Sequence, residues 1–487
     1  MKNLLFALSL LHCFVVEAQD KPTFSIEQLK EDFEVFQGSL EDSHPGLYWY
    51  RNKAEMDQVF QSGKDGLTQP MTERQFYRIL SSALSKVGCG HTYISLSKQT
   101  TESEMVAFLP FQVQFEDGKA FFIKSYGDPI AGISPGNRLT RMNGAFMDSI
   151  YAGCIDMLSG DGFTETGKLN MLNAHFWYTY TELFGAPNTY EIQFLNDDLK
   201  EETISVPAMP KEEMYAHYFE NDQPEEAKRN VILTFDNGIA TLMIKAFFGW
   251  KEGLTKTRIE KKFKETFRQI EENGADQLII DLRGNGGGRV PWVLYSYFVN
   301  ESFLFANNAD LIFSKSSDYY SHQKLPNMKW IKRKWWHTWF PGSSKMSHVD
   351  STRYAMTGLY MTKPYKPKGS QFEGEVFILI DGFSFSAASD FAAMMKSSGL
   401  ATIIGEESGG GYYGNTSMGK SFVTLPHSKL ELAIPLVRHQ LNVDPDRNPF
   451  GRGVIPDHEV LPSVEDVLNG KDRQMEWTLN FIQNGSN

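Results

Sequence analysis

Near the start of the chain, apolar residues recur at helical spacing. Ser25 predicts a helix cap, with Gln28 at the capping-box position and Leu29, Phe33 and Phe36 as one apolar stripe. Thr72 opens a second such run, with Phe76, Ile79, Leu80, Ala83 and Leu84. The period breaks at Val87-Gly88-Cys89-Gly90. The residues from His91 to Leu96 then alternate as a strand. Together these patterns predict a mainly helical segment, residues 19–104.

Residues 105–206 read as a small β-rich module with short stretches that alternate at period two. Leu109 to Phe115 stops at a Glu-Asp-Gly turn, and Ala120 to Ile123 resumes the strand pattern. Tyr190 to Phe194 and Glu202 to Val206 close the module. The turn, strand and Asn-Gly turn of Ile133 to Gly144 resemble part of a PDZ domain, although a helical stretch near 169–184 interrupts it. Residues 207–230 are polar and contain Pro210 and Pro224, which predicts a linker. From 231 to 487 strands alternate with helices, which predicts an α/β domain. Its strands are Gly238–Ile244, Leu278–Leu282, Val376–Ile380 and Ala401–Ile404, and residues 252–272 form an amphipathic helix. An insert, about 307–370, holds a basic and aromatic run from Met328 to Phe340. It reads as a lid, a peptide-gripping surface, a membrane-surface contact or an extra packed helix.

At the N-terminus, Lys2 is followed by an apolar run, Leu4 to Val16, and by small residues at cleavage-site spacing. This predicts a signal peptide over residues 1–18 and an exported protein, periplasmic or extracellular. No other stretch is long and apolar enough to predict a membrane span. The remaining cysteines, Cys89 and Cys154, read either as a disulfide pair or as buried free thiols. The 487 residues carry 48 Lys and Arg against 60 Asp and Glu, a net charge of −12. That argues against nucleic acid as a partner. CxxC, HExxH and close His/Asp/Glu clusters are absent from the sequence, so neither a metal nor any other cofactor is expected.

Two constellations carry candidate chemistry. In Leu278 to Gly288 a buried strand runs into Asp-Leu-Arg-Gly-Asn-Gly-Gly-Gly. Such a turn can present backbone N–H groups to an oxyanion or a phosphate. The P-loop Lys is missing, as is GxGxxG spacing. In Val376 to Lys396 a buried strand leads through Ser384, Ser386 and Ser389 into a small-residue helix. A serine at a helix N-terminus reads either as a cap or as a nucleophile whose developing charge the helix end stabilises.

Taken in order, these motifs resemble the tail-specific (C-terminal-processing) serine peptidases, whose relatives include the tricorn core and interphotoreceptor retinoid-binding protein. The resemblance rests on DLRGNGGG, DGFSFSAASDF, IIGEESGGG, the terminal Gly453-Val-Ile-Pro-Asp457, and Cys89-Gly-His91-Thr92 near the start. It implies an α/β fold, multidomain α+β, with a ClpP/crotonase-like spiral-sheet catalytic domain, an N-terminal helical domain and a PDZ-like module. It also implies a polypeptide substrate. Carried over position by position, the nucleophile falls on Ser386 and the general base on His91. The oxyanion N–H groups fall on Ala387 and on Gly286 or Gly287. The lysine of the Ser-Lys branch has no counterpart after the Gly-Glu motif, and the next lysine is Lys420. The acid that orients the histidine in the tricorn-like branch is also missing, because Phe450 or Gly451 stands there. Glu406, Glu407, Asp444 and Asp446 are the substitutes considered. Two alternatives stay open: a non-catalytic binding protein for a peptide or an apolar ligand on the same scaffold, and a crotonase-like acyl-CoA enzyme, which export disfavours.

Overall fold

The computed structural model describes residues 22–220, 230–247, 256–312, 323–324, 345–348, 353–357 and 360–485. The predicted signal peptide and the tryptophan-rich run of the insert lie outside these residues.

The N-terminal helices start where the capping signals predict. Ser25 and Thr72 form capping boxes with Gln28 and Gln75 at the head of Ile26–Ser43 and Glu73–Ser85. A third helix, Lys53–Asp65, is boxed by Asn52 and Glu55. The stripe Leu29, Phe33, Phe36 is fully buried against Phe60 and Phe76. Residues 105–206 form an antiparallel sheet in the order Glu201–Pro207, Thr189–Leu195, Arg138–Met142, Lys119–Ser125, Phe111–Glu116. Two helices, Met147–Met157 and Thr166–Phe184, accompany it.

The stretch predicted as a linker is partly built into this body. Met209–Pro210 pairs with Ala107–Phe108, and Met214 in the following helix Lys211–Tyr215 is fully buried. Apolar side chains spaced through a polar segment anchor it here. The polarity of the segment hid them.

The α/β part centres on a sheet in the order Val231–Asp236, Ile239–Ile244, Gln277–Asp281, Glu375–Ile380, Thr402–Gly405, His458–Glu459. All its pairings are parallel except the first. Both faces are covered, which is why its strands read as continuous apolar runs. Phe263, Phe391 and Met395 belong to one core; Met475, Trp477 and Phe481 of the C-terminal helix Arg473–Asn484 cover the other face. The predicted helix at 252–272 is described over Lys256–Glu272. The fold is mixed α/β with several sheets, as the sequence predicts.

A further sheet joins the two ends of the chain. Long strands Gly414–Thr424 and Glu431–Leu441 pair with each other, and Tyr93–Ser95 adds to the second of them in the register Leu432↔Ile94. Asp32, in the first helix, accepts from the backbone N–H groups of His427 and Ser428 at 2.8 Å in the turn between those long strands. The N-terminal core accordingly includes Val423, Leu425, Leu430, Leu432 and Ile434.

Candidate active site

The strand Glu375–Ile380 ends in a turn held by Asp381 and Ser384. Asp381 Oδ1 accepts from the N–H groups of Phe383 at 3.0 Å and Ser384 at 2.9 Å, and both its oxygens face Gly284 N–H. The Ser384 hydroxyl donates to Leu282 O at 2.8 Å, stitching this turn to the glycine turn beside it. Ser389 Oγ donates to Ser386 O at 2.8 Å. Ser384 and Ser389 are fully buried and bonded to backbone. Of the three serines, Ser386 alone lines a cavity of about 360 Å³.

Ser386 sits at the head of the helix Ala387–Ser397 with φ 54° and ψ −122°. A side-chain-bearing residue in that region costs on the order of 1–3 kcal/mol, and such strain gathers at functional sites. Among the described residues eight non-glycines have positive φ, and three of them, Val290, Ser386 and Met418, line this one cavity.

The glycine turn packs directly against Ser386. A Cβ on Gly287, which has φ +105°, would lie 2.6 Å from Ser386 Cβ and 2.8 Å from Phe385 O. Only glycine fits there. Asn285, fully buried, spans the turn. Its Oδ1 accepts Gly287 N–H at 2.9 Å and its Nδ2 donates to Ile244 O at 2.8 Å. The Gly287 N–H is therefore engaged inside the turn. Gly286 is exposed and does not line the cavity, whereas Gly288 and Ala387 do. Phe247 bonds to Gly287 O and Arg289 N, the residues flanking Gly288, and so leaves Gly288's own N–H out of that bridge.

His91 reaches the same cavity from the N-terminal part of the chain. The pairing of Tyr93–Ser95 with Glu431–Leu441 brings it there, and its ring lies 4.6 Å from the Phe385 ring. Gly90 allows the approach, because a Cβ would meet Phe385 at 2.7 Å. His44 supports the loop from below: its Nδ1 accepts from Gly46 N–H at 3.1 Å, so its Nε2 donates to Thr92 Oγ1 at 2.8 Å. Burial, then the neighbouring Lys420 and His439, depress the His91 imidazole to about 3. It is neutral at neutral pH, with a lone pair free to take a proton. His91 Nδ1 is buried without a hydrogen-bond partner.

The four acids considered from sequence lie elsewhere. Glu407 holds Arg452 and accepts from Gly453 N–H at 2.7 Å. Glu406 contacts Asn170 and Gly382, and burial raises it to about 7. Asp444 caps the turn Pro445–Arg447, and Asp446 is exposed within that turn. None of the four lines the cavity. Two carboxylates unforeseen in the sequence stand near the imidazoles. Asp390, one turn after Ser386, bonds His439 Nε2 at 3.1 Å on the cavity wall, and Asn415 Nδ2 holds its other oxygen at 3.1 Å. Asp161, within a Gly-Asp-Gly turn, has an oxygen within 4.8 Å of a His91 nitrogen and of Cys89 Sγ. The glycine bracket was its one visible signal.

Cys89, His91 and Asp161 are also the group of possible metal ligands among the described residues. The Cys89 thiol, pushed up to about 12 by burial, bonds Thr416 O at 3.4 Å. Cys89 and Cys154 are separate buried thiols. Among the described residues no helix is long and apolar enough to cross a membrane. His458 packs on Trp477 and Phe481, outside this site.

No curated protein matches this chain. Among solved structures, mature CPAF complexed with lactacystin superposes with a TM-score of 0.62 at 12% identity, covering 94% of this chain and 98% of that one. A mutant form of CPAF superposes at 0.64 and 13%, covering 95% and 99%. At such identity the likeness is one of fold. Residues 238–460, which hold the glycine turn, Ser386, His439 and the Pro-Asp segment, match Peptidase family S41. The α/β part of the chain thus contains a Peptidase family S41 domain.

Proposed function

We propose that the chain is a serine-type peptidase that hydrolyses peptide bonds of exported polypeptides by acyl transfer through Ser386, with His91 as general base. The observation that carries this reading is the strained Ser386 facing a cavity that a neutral histidine also lines. A serine hydroxyl needs such a base to attack at neutral pH.

In acylation His91 takes the Ser386 proton as Oγ bonds to the scissile carbonyl carbon. The carbonyl oxygen becomes an oxyanion, and the C–N bond breaks as His91 returns the proton to the leaving amine. Water then repeats the sequence on the acyl-enzyme. Ala387 N–H, at the open N-terminus of its helix, is one oxyanion donor. For the other, the bond between Gly287 N–H and Asn285 favours Gly288 over Gly286 and Gly287.

Replacing Ser386 with alanine is expected to lower hydrolysis of an unstructured, fluorescently labelled polypeptide by about 10⁴-fold or more. Labelling by a fluorophosphonate is expected to disappear with it. Turnover unchanged in Ser386→Ala would refute the assignment.

A further inference from the structure

The tricorn-like arrangement calls for an acid behind the histidine, and the position expected to supply it holds Phe450 or Gly451. The structure places another loop against that same spot. Phe163 N–H donates to Gly451 O at 2.7 Å, and a Cβ on Gly162 would lie 2.2 Å from that oxygen. The residue before this contact is Asp161. This residue is 2% exposed. Gly90 N–H, adjacent to His91, donates to Asp161 Oδ1 at 2.7 Å, and Gly411 N–H donates to Oδ2 at 3.3 Å. These bonds tie the carboxylate both to the histidine loop and to the glycine-rich loop after the Gly-Glu motif. The His91 Nδ1 is buried and unpartnered, and an Asp161 oxygen is within 4.8 Å of a nitrogen of that ring.

We propose that Asp161 is the positioning acid of this site. Delivered from a different loop, it takes the place that Phe450 and Gly451 leave vacant. When substrate closes the site, the Asp161 carboxylate accepts the Nδ1–H of His91. That bond selects the tautomer with its lone pair on Nε2 and stabilises the imidazolium formed as His91 takes the Ser386 proton. Apo sites commonly show such bonds lengthened. The titratable groups facing Asp161 are Tyr50, Cys89, His91, Asp390 and His439. Asp390 is bonded to His439, which leaves Asp161 as the carboxylate for His91.

This inference rests on the reading of His91 as base. It is tested on the full chain with the labelled polypeptide used for Ser386. Asp161→Asn preserves size and an acceptor for Gly90 N–H. It is expected to lower kcat by about 10³-fold or more, with KM within about twofold and an unchanged melting temperature. A kcat within tenfold of the parent would overturn the proposal, as would the same loss in Asp390→Asn with none in Asp161→Asn. If Ser386→Ala also leaves turnover intact, the peptidase assignment itself has failed. If Asp161→Asn does not fold, the unmodified protein still decides: its proton NMR spectrum, with a substrate-like peptide aldehyde bound to Ser386, is expected to show a strongly downfield N–H signal that His91→Gln removes. Absence of that signal would overturn the proposal.

Discussion

Ser386 and Gly287 show how closely this site is built at the level of single atoms. The nucleophile candidate keeps its strained backbone because the neighbouring turn approaches to a distance that excludes even a methyl group. Gly287→Ala is therefore expected to displace Ser386 and lower kcat by about 100-fold, the cost of a misplacement near 1 Å. Steady-state kinetics beside a melting curve would show the loss at a preserved fold. An equal kcat would mean that the turn yields freely. His44 supports a second prediction. Burial depresses its imidazole to about 3, against about 6.5 in the unfolded chain. Between those values the unfolded chain binds the proton more readily, so this stability is present above about pH 6.5 and lost as pH falls toward 3. His91 acts in the same direction, while the buried carboxyls Asp161, Glu182 and Glu406, raised to about 7, act in the opposite one. His44→Gln is expected to lose less melting temperature than the parent between pH 7 and pH 5. Equal losses would remove His44 from the account.

Among the elements, the short strand Tyr93–Ser95 has the largest consequence for its size. Three paired residues and one buried side chain, Ile94, dock the His91 loop onto Glu431–Leu441. Ile94→Ala is expected to cost about 2–4 kcal/mol, measured by urea unfolding, and to lower kcat more than KM changes. The helices and the central strands were legible in the sequence, since caps such as Ser25 and Thr72 and the apolar runs at 278–282 and 376–380 act locally. The signal that picked Ser386 from Ser384 and Ser389 was the order of motifs. Physically, the difference is that Ser384 and Ser389 are spent on Leu282 O and Ser386 O. Asp161 was not legible, because its meaning depends on contacts with Gly90 and Gly411, 71 and 250 positions away. Asp390 was hidden likewise, in a helix whose partner strand lies 49 residues downstream.

For the whole molecule, one hydrophobic core crosses the boundary suggested by sequence at residue 231. The N-terminal core is completed by Val423, Leu425, Leu430, Leu432 and Ile434 from the far end of the chain, each fully buried. A chain beginning at residue 231 would expose all five beside an unpaired strand edge, a combination that promotes association. Such a fragment is expected to be insoluble or aggregated on size exclusion and inactive, even though it holds Ser386. A soluble fragment with a sharp unfolding transition would show that the α/β part stands alone.

The sheet shared by both ends of the chain also bears on when activity can begin. His91 and Ser386 are 295 positions apart in sequence, and the strand that receives the His91 loop comes later still, at Glu431–Leu441. Contacts of such long range form late, after much loop closure. A growing or half-folded chain would possess the serine, or the histidine, without the geometry that joins them. On the reading proposed above, a partly made enzyme cannot digest itself or its neighbours. On that reading, completion of the fold serves as the safety catch.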